Sequence, residues 1–436
     1  MRKAGESRGG SIVTERSQRA ASPAYRWQLV AMLWVVGLLN YADRQAIFSV
    51  FPLLEARLHL DLAELGLLGS AFAWAYGLAA PFAGYAVDRL RRKTAILGGL
   101  EVWSWICAAT AFTSHLWSLT ILRCAMGLGE SLYFPAALSL MSDYHGPRTR
   151  SRALALHQTS VYAGTIVGGF CAGWLAERYD WRSPFLCFGA IGALFGIVLV
   201  DGLREPTRGA AETSSAEPEV LSPPSFGSFA MFAMRTPAIR LLMGAFACAN
   251  FVAVVLLAWM PSYLYHAFHM NLAMSGLTAT ALAQIGSMVG TIVGGWLADR
   301  LAKRLAAGRV VIQIVGVFCG APFVFLCAQA HTMAPVLTSL AAWGFFKGLY
   351  DANIFASLFD VVPIAARGVA AGWMNTVGWI GGGLAPLLVG ILAVRYGLGS
   401  AIALVSVVYL LAGSLLLRAF FTASRQVSEH HLSPAS

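Results

Sequence analysis

Apolar blocks of about 20 residues recur along the whole chain, each long enough to cross a bilayer as a helix. Twelve can be placed, centred near residues 38, 75, 104, 128, 165, 193, 252, 285, 319, 346, 381 and 410. In lipid, only helices and closed barrels satisfy every backbone polar group internally. The blocks therefore predict an all-α integral membrane protein with 12 transmembrane helices. Composition agrees: of 436 residues, 58% are hydrophobic and 12% charged, where a soluble chain carries roughly 25% charged residues.

The first 26 residues are polar and Ser/Arg-rich. They predict a disordered cytoplasmic tail, and the run that follows is too long for a signal-peptide core. The seven cysteines are scattered through apolar blocks without ligand spacing, so they read as small buried hydrophobes. The nine histidines are dispersed, with His266 and His269 as ordinary polar residues near an outer helix end. Neither metal nor cofactor is expected.

The formal charge of +10 raises the question of nucleic acid. Its distribution answers it. The clusters "DRLRRK" (88–93), "RTRSR" (148–152) and "DRLAKR" (299–304) all fall in loops on one side of the predicted topology. By the positive-inside rule that side is cytoplasmic, with both termini. Basicity is thus a topology signal, and no nucleic-acid partner is expected.

The chain also repeats itself. "GYAVDRLRRK" (84–93) recurs in "GGWLADRLAKR" (294–304), Asp88 matching Asp299 at an offset of 211 residues. "LHLDLAELGLLGSAF" matches "FHMNLAMSGLTATAL" at 210, and Asp143, Arg150, Gln158 and Gly164 match Asp360, Arg367, Asn375 and Gly381 at 217. Six spans per half make these parallel repeats about an axis along the membrane normal. The expected organisation is a tail (1–26), an N-terminal six-helix bundle (27–203), a cytoplasmic linker (204–236), a C-terminal six-helix bundle (237–421) and a second tail (422–436). In the linker, "FGSFAMFAM" (226–234) fits a short amphipathic helix on the membrane surface.

The pattern G-x-x-x-D-R-x-x-[RK]-[RK] after span 2, repeated after span 8, resembles the major facilitator superfamily over roughly residues 27–421. The resemblance implies two bundles related by a pseudo-two-fold axis, rocking about a central site near the midplane. It also implies that the motif residues Gly84, Asp88, Arg89, Arg92, Asp299 and Arg300 form a gate at the cytoplasmic helix ends.

Seven ionisable residues remain inside the spans: Asp43, Arg44, Glu101, Arg123, Glu130, Lys347 and Asp351. Each costs on the order of 2.5–3.5 kcal/mol at mid-membrane on insertion scales, so each is a functional candidate. Arg123 and Glu130 are two turns apart and share a helix face, with Gly127 between them. Arginine forks match carboxylate geometry, and buried carboxyls that exchange partners are what proton coupling requires. The bland reading is permanent ion pairs that orient helices. Against it, Asp43 and Arg44 match Ala253 and Val254 in the repeat, and Arg123 matches Leu340. Charges demanded by the fold would recur in both halves.

Lys347 and Asp351 form an i,i+4 pair that either neutralises itself or lines the cavity. Glu101 lies near the inner end of span 3. Tyr41, Tyr76, Tyr133, Gln158, Asn353 and Asn375 are candidates for substrate hydroxyls, Gln158 and Asn375 as a repeat-related amide pair; helix-to-helix hydrogen bonds are the equal alternative for each. Trp373, Trp379 and Tyr162 offer apolar surface.

"NYADR" on span 1 with "RCAMGLGES…FP" on span 4 resembles the anion:cation symporter family, which includes sugar-acid transporters and sialin-like carriers. The resemblance implies proton-coupled uptake of a small organic anion such as a hexonate or hexuronate, by a monomer in the cell inner membrane. By the same resemblance Asp43 and Glu130 carry protons, Arg44 binds the substrate carboxylate, and Arg123 exchanges partners with the acids. Span 10, "KGLYDANIF", departs from that family. Spinster-like lipid transporters share the N-Y-x-D-R and R-x-x-x-G-x-G-E elements, so proton-driven lysolipid or drug efflux is the alternative. A non-transporting sensor on the same fold is another. No HExxH, GxSxG or phosphate loop marks an enzyme.

Overall fold

The computed structural model describes residues 23–146, 148–206, 225–305 and 307–432; the side chains of 23, 88 and 423–432 lie outside this description. The predicted tail 1–26 therefore lies almost wholly beyond the described residues, as does most of the linker. The first half comprises α1 (Pro23–Ser49), α2 (Phe51–Leu58), α3 (Leu62–Arg89), α4 (Arg92–Thr110), α5 (Leu116–Glu130), α6 (Tyr133–Tyr144), α7 (Arg150–Arg178) and α8 (Ser183–Gly202). After α9 (Phe226–Arg235) the second half comprises α10 (Pro237–Phe268), α11 (Leu272–Ala302), α12 (Gly308–Gln329), α13 (Met333–Asp351), α14 (Ile354–Val361), α15 (Arg367–Tyr396) and α16 (Leu398–Leu432).

Among the described residues, seven helices are long and apolar enough to cross a membrane by length and composition alone: α3, α8, α10, α11, α12, α15 and α16. The other five spans are shorter or more polar. Asp43 and Arg44 lie on α1, Arg92 and Glu101 on α4, and Arg150 and Arg152 on α7. Spans 4 and 10 are each broken in two, as α5–α6 and α13–α14. In span 4 the cause is Pro135, which has no N–H for the carbonyl of Ser131 and crowds it. The break follows directly on Glu130.

The halves repeat in local detail. His59 and His269, 210 positions apart, both adopt left-handed backbone (φ 55° and 51°). Each is followed by an N-cap: the Asp61 carboxylate accepts from Glu64 N at 2.8 Å, and the Asn271 side chain accepts from Met274 N at 2.8 Å. Both turns thus reverse the chain in the same way and satisfy an orphan helix N–H.

The halves meet where α3 packs on α15 and α7 on α11. A Cβ on Gly276 would stand 2.0 Å from the carbonyl oxygen of Gly169, and one on Gly390 2.2 Å from that of Leu62. Such small residues let helix backbones touch. These contacts lie towards the face of the 59–61 and 269–271 turns, where His266 Nε2 also reaches Glu55 across the halves at 3.2 Å. On the face where α1 begins and α16 ends, a Cβ on Gly84, Gly295, Gly368 or Gly372 would meet nothing within 4 Å. The molecule is closed on one face and open on the other.

The motif charges follow from that state. Arg92 pairs with Asp143 at 2.7 Å and Glu205 at 3.6 Å, within the first half. Arg309 holds Asp360 at 2.8 Å and Asp299 at 3.8 Å, within the second. Arg89 and Arg300 stack on Tyr85 and Trp296 of their own helices, at 3.6 Å and 3.8 Å. With the halves apart on this face, these residues tie helix ends inside each bundle. The Asp88 side chain of the expected gate lies outside the described residues.

Candidate functional site

Between the halves lies a cavity of about 260 Å³, lined by side chains from both. Its first-half wall is built on α1, α3, α5 and α7. A Cβ on Gly127 would fall 2.6 Å from the Phe72 carbonyl oxygen, so glycine there lets α5 lie directly on α3. That approach brings Arg123 and Arg44 over the two sides of one aromatic cluster. Arg44 lies 4.4 Å from the Tyr76 ring, 4.7 Å from Tyr41, 5.1 Å from Phe72 and 5.4 Å from Trp379. Arg123 lies 4.7 Å from Phe72. Aromatic faces offset part of the cost of burying a guanidinium.

The two arginines are bonded differently. Arg44 Nε donates to Glu130 Oε2 at 2.5 Å, with both side chains buried. Glu130 ends α5, where the helix dipole disfavours an anion, and Arg44 supplies the compensating charge. Both terminal nitrogens of Arg44 are without hydrogen-bond partners among the described residues. Arg123 is 1% exposed, yet its only polar contact among the described residues is Nη1 to the Met126 sulfur at 3.4 Å. Its Nε and Nη2 have no partner among the described residues. It has no carboxylate within ion-pair distance there.

Asp43 points away from this wall. It is 2% exposed, is not among the cavity-lining residues, and lies 3.7 Å from the Cys107 thiol of α4. Glu130, fully buried, likewise sits behind the wall through Arg44.

Of the other expected residues, Tyr41, Gln158 and Trp379 line the cavity, as do Lys347, Asp351 and Tyr162. Tyr76 stands just behind, its ring 4.8 Å from that of Trp379. Four expectations need correction. Asn375 is exposed and does not line the cavity, so the amide pair with Gln158 is not formed; it lies one turn from Trp379 towards the open face. Asn353 is buried and donates to the carbonyls of Gly294 at 3.3 Å and Leu349 at 3.0 Å, securing the break in span 10. Tyr133 donates to the Leu33 carbonyl at 2.5 Å and lies 2.8 Å from His157 Nε2, away from the cavity. Trp373 stacks on Phe226 of α9 at 4.3 Å and donates to its carbonyl at 3.0 Å, tying the linker helix to α15. Glu101 sits over Gly196 of α8, remote from the cavity lining.

The cavity also recruits Gln45, Asn250, Gln284 and Tyr350, which sequence reading passed over. A signal existed for one of them. Asn250 matches Asn40 at the repeat offset of 210.

Comparison with known proteins places this geometry in a wider group. The family model of the Major Facilitator Superfamily matches residues 33–327 and 279–434. A chloroplastic ascorbate transporter from Arabidopsis thaliana is 26% identical, over 95% of this chain and 79% of its own length. The hexuronate transporter of Bacillus subtilis (strain 168) is 24% identical, over 92% of this chain and 94% of its own. Among solved structures, a bacterial homolog of the human lysosomal transporter spinster, inward-facing and occupied, matches with a TM-score of 0.80. That match is 20% identical and covers 95% of this chain and all of the other.

Proposed function

The chain belongs to the Major Facilitator Superfamily and is a multi-pass membrane transporter; we propose that it takes up a small organic anion, a sugar acid such as a hexonate or hexuronate, together with protons. The observation that carries this reading is Arg123. A guanidinium buried without a counter-ion is costly, and a carboxylate entering the cavity relieves that cost. Arg44, whose terminal nitrogens have no partner among the described residues, lines the same cavity, so two guanidinium groups stand near one anionic end. The hexuronate and ascorbate transporters among its relatives support the substrate class.

Proton coupling follows from the Arg44–Glu130 pair. While Glu130 is ionised it occupies Arg44 Nε. A proton on Glu130 weakens that bond and frees Arg44 for the substrate, so proton and anion binding reinforce each other. Asp43, beside the same elements, is the second proton site. In this cycle the structure corresponds to the state after release, open towards the cytoplasm, with Arg44 returned to Glu130. The membrane is a cell inner membrane, with the basic loops and both termini inside.

The test is binding. A hexuronate titrated into the purified protein by calorimetry binds the wild type. Arg123→Lys, which keeps the charge but loses the planar fork, weakens it by about tenfold or more. Undiminished affinity in Arg123→Lys and Arg123→Gln contradicts the assignment.

A further inference from the structure

The second charged feature of the cavity lies on its other wall. Lys347 and Asp351, one turn apart on α13, are ion-paired, and both line the cavity. The Arg44–Glu130 pair of the opposite wall is covered by its neighbours, at 8% and 0% side-chain exposure. Lys347 and Asp351 are 20% and 31% exposed. Between them Tyr350 also lines the cavity; it is 1% exposed, and its hydroxyl has no hydrogen-bond partner among the described residues. Gln284 of α11 and Tyr162 of α7 complete this side.

Such a wall offers ammonium donors, carboxylate acceptors and a hydroxyl that is either, with no net charge. Carbohydrate hydroxyls, each donor and acceptor, match that inventory. A second carboxylate does not, because Asp351 cancels the attraction of Lys347. The repeat gives this wall no structural necessity: Lys347 corresponds to Glu130, which pairs with another helix, whereas Lys347 pairs on its own.

We propose that Lys347, Tyr350 and Asp351 form a second substrate subsite, which reads the hydroxyl-bearing end of a monocarboxylate while Arg123 and Arg44 hold its acidic end. The subsite rests on the anion reading above and extends it to specificity. A site built to bond hydroxyls discriminates strongly against an analogue that lacks them, because its own buried polar groups are then left unpaired. The tyrosine hydroxyl is the member in that position.

The experiment compares affinities for three acids on the full-length purified protein: a hexonate, its 4,5,6-trideoxy counterpart, and the hexarate with a carboxylate at both ends. In the wild type the hexonate binds about tenfold or more tighter than either analogue, as expected for two or more hydroxyl contacts. In Tyr350→Phe and in Lys347→Met/Asp351→Asn the ratio of hexonate to trideoxy affinity falls to within about threefold. Tyr350→Phe conserves volume, and thermal melting of each variant reports folding. If these variants keep the wild-type ratio, or if the hexarate binds as well as the hexonate, the subsite is wrong while the anion site stands. If the wild type binds none of the acids, the anion reading fails and the subsite with it.

Discussion

Arg44 reaches Glu130 at 2.5 Å, whereas Arg123, seven residues before Glu130 on the same helix, has no carboxylate partner among the described residues. One wall therefore holds a closed ion pair beside an open guanidinium. That asymmetry is the basis for exchange of partners. In the proposed cycle an incoming carboxylate binds the open cation, and a proton on Glu130 releases the closed one.

The pair itself predicts a stability pattern. Removing one member of a buried ion pair costs about 3–5 kcal/mol, because the other charge is left uncompensated. Arg44→Met lowers the thermal midpoint of the purified protein at neutral pH. Glu130→Gln in the same chain restores most of the loss. A double variant as unstable as the sum of the singles shows that the two residues do not depend on each other.

The closed face predicts a shift between states. Valine at Gly276 cannot coexist with the Gly169 carbonyl, since even a Cβ there would stand 2.0 Å away. Gly276→Val therefore drives the halves apart on the face of the 59–61 and 269–271 turns, and closes the other. A cysteine introduced at Gly372, which has open space around it here, then loses reactivity towards a membrane-impermeant maleimide by about threefold as the open-to-closed ratio passes from about 3:1 to about 1:3. Unchanged labelling contradicts the assignment of faces.

A histidine outside the spans sets an acid limit. His145, in the turn between α6 and α7, lies 3.2 Å from the Arg26 carbonyl through Nε2 and 3.1 Å from Thr149 Oγ1 through Nδ1. Burial holds its imidazole below the ordinary range. The folded state therefore binds a proton less readily than the unfolded chain. This contribution is fully present above the unfolded value of about 6.5 and is lost as pH falls through the depressed folded value. Melting curves of the wild type from neutral to mildly acidic pH fall more steeply than those of His145→Gln. Parallel curves contradict it.

The helices, the repeat and the shared face of Arg123 and Glu130 were legible because each rests on a regular spacing. Apolar blocks of bilayer length, an offset near 210, and a two-turn interval from Arg123 to Glu130 all leave their mark on a one-dimensional string. What was not legible is which way adjacent side chains turn. Asp43 and Arg44 are neighbours in sequence, but successive helical residues point about 100° apart. One of them faces Cys107 and the other the cavity. Nor does a repeat offset give depth within the membrane. Gln158 and Asn375 match in register, yet with the halves apart on one face only Gln158 reaches the cavity wall. Asn353 and Tyr133 failed for a simpler reason: a polar side chain in a span bonds a neighbouring backbone carbonyl as readily as a ligand.

In the proposed cycle a proton on Glu130 is exchanged for the hold on Arg44 as the anion moves. The decisive measurement is uptake of a labelled hexuronate or hexonate into proteoliposomes, with and without an inward proton gradient, for the wild type and Glu130→Gln. The wild type accumulates substrate when the gradient is present. Glu130→Gln loses that accumulation and keeps the exchange of internal for external substrate at equal pH. Full gradient-driven accumulation by Glu130→Gln rules out coupling through this carboxyl.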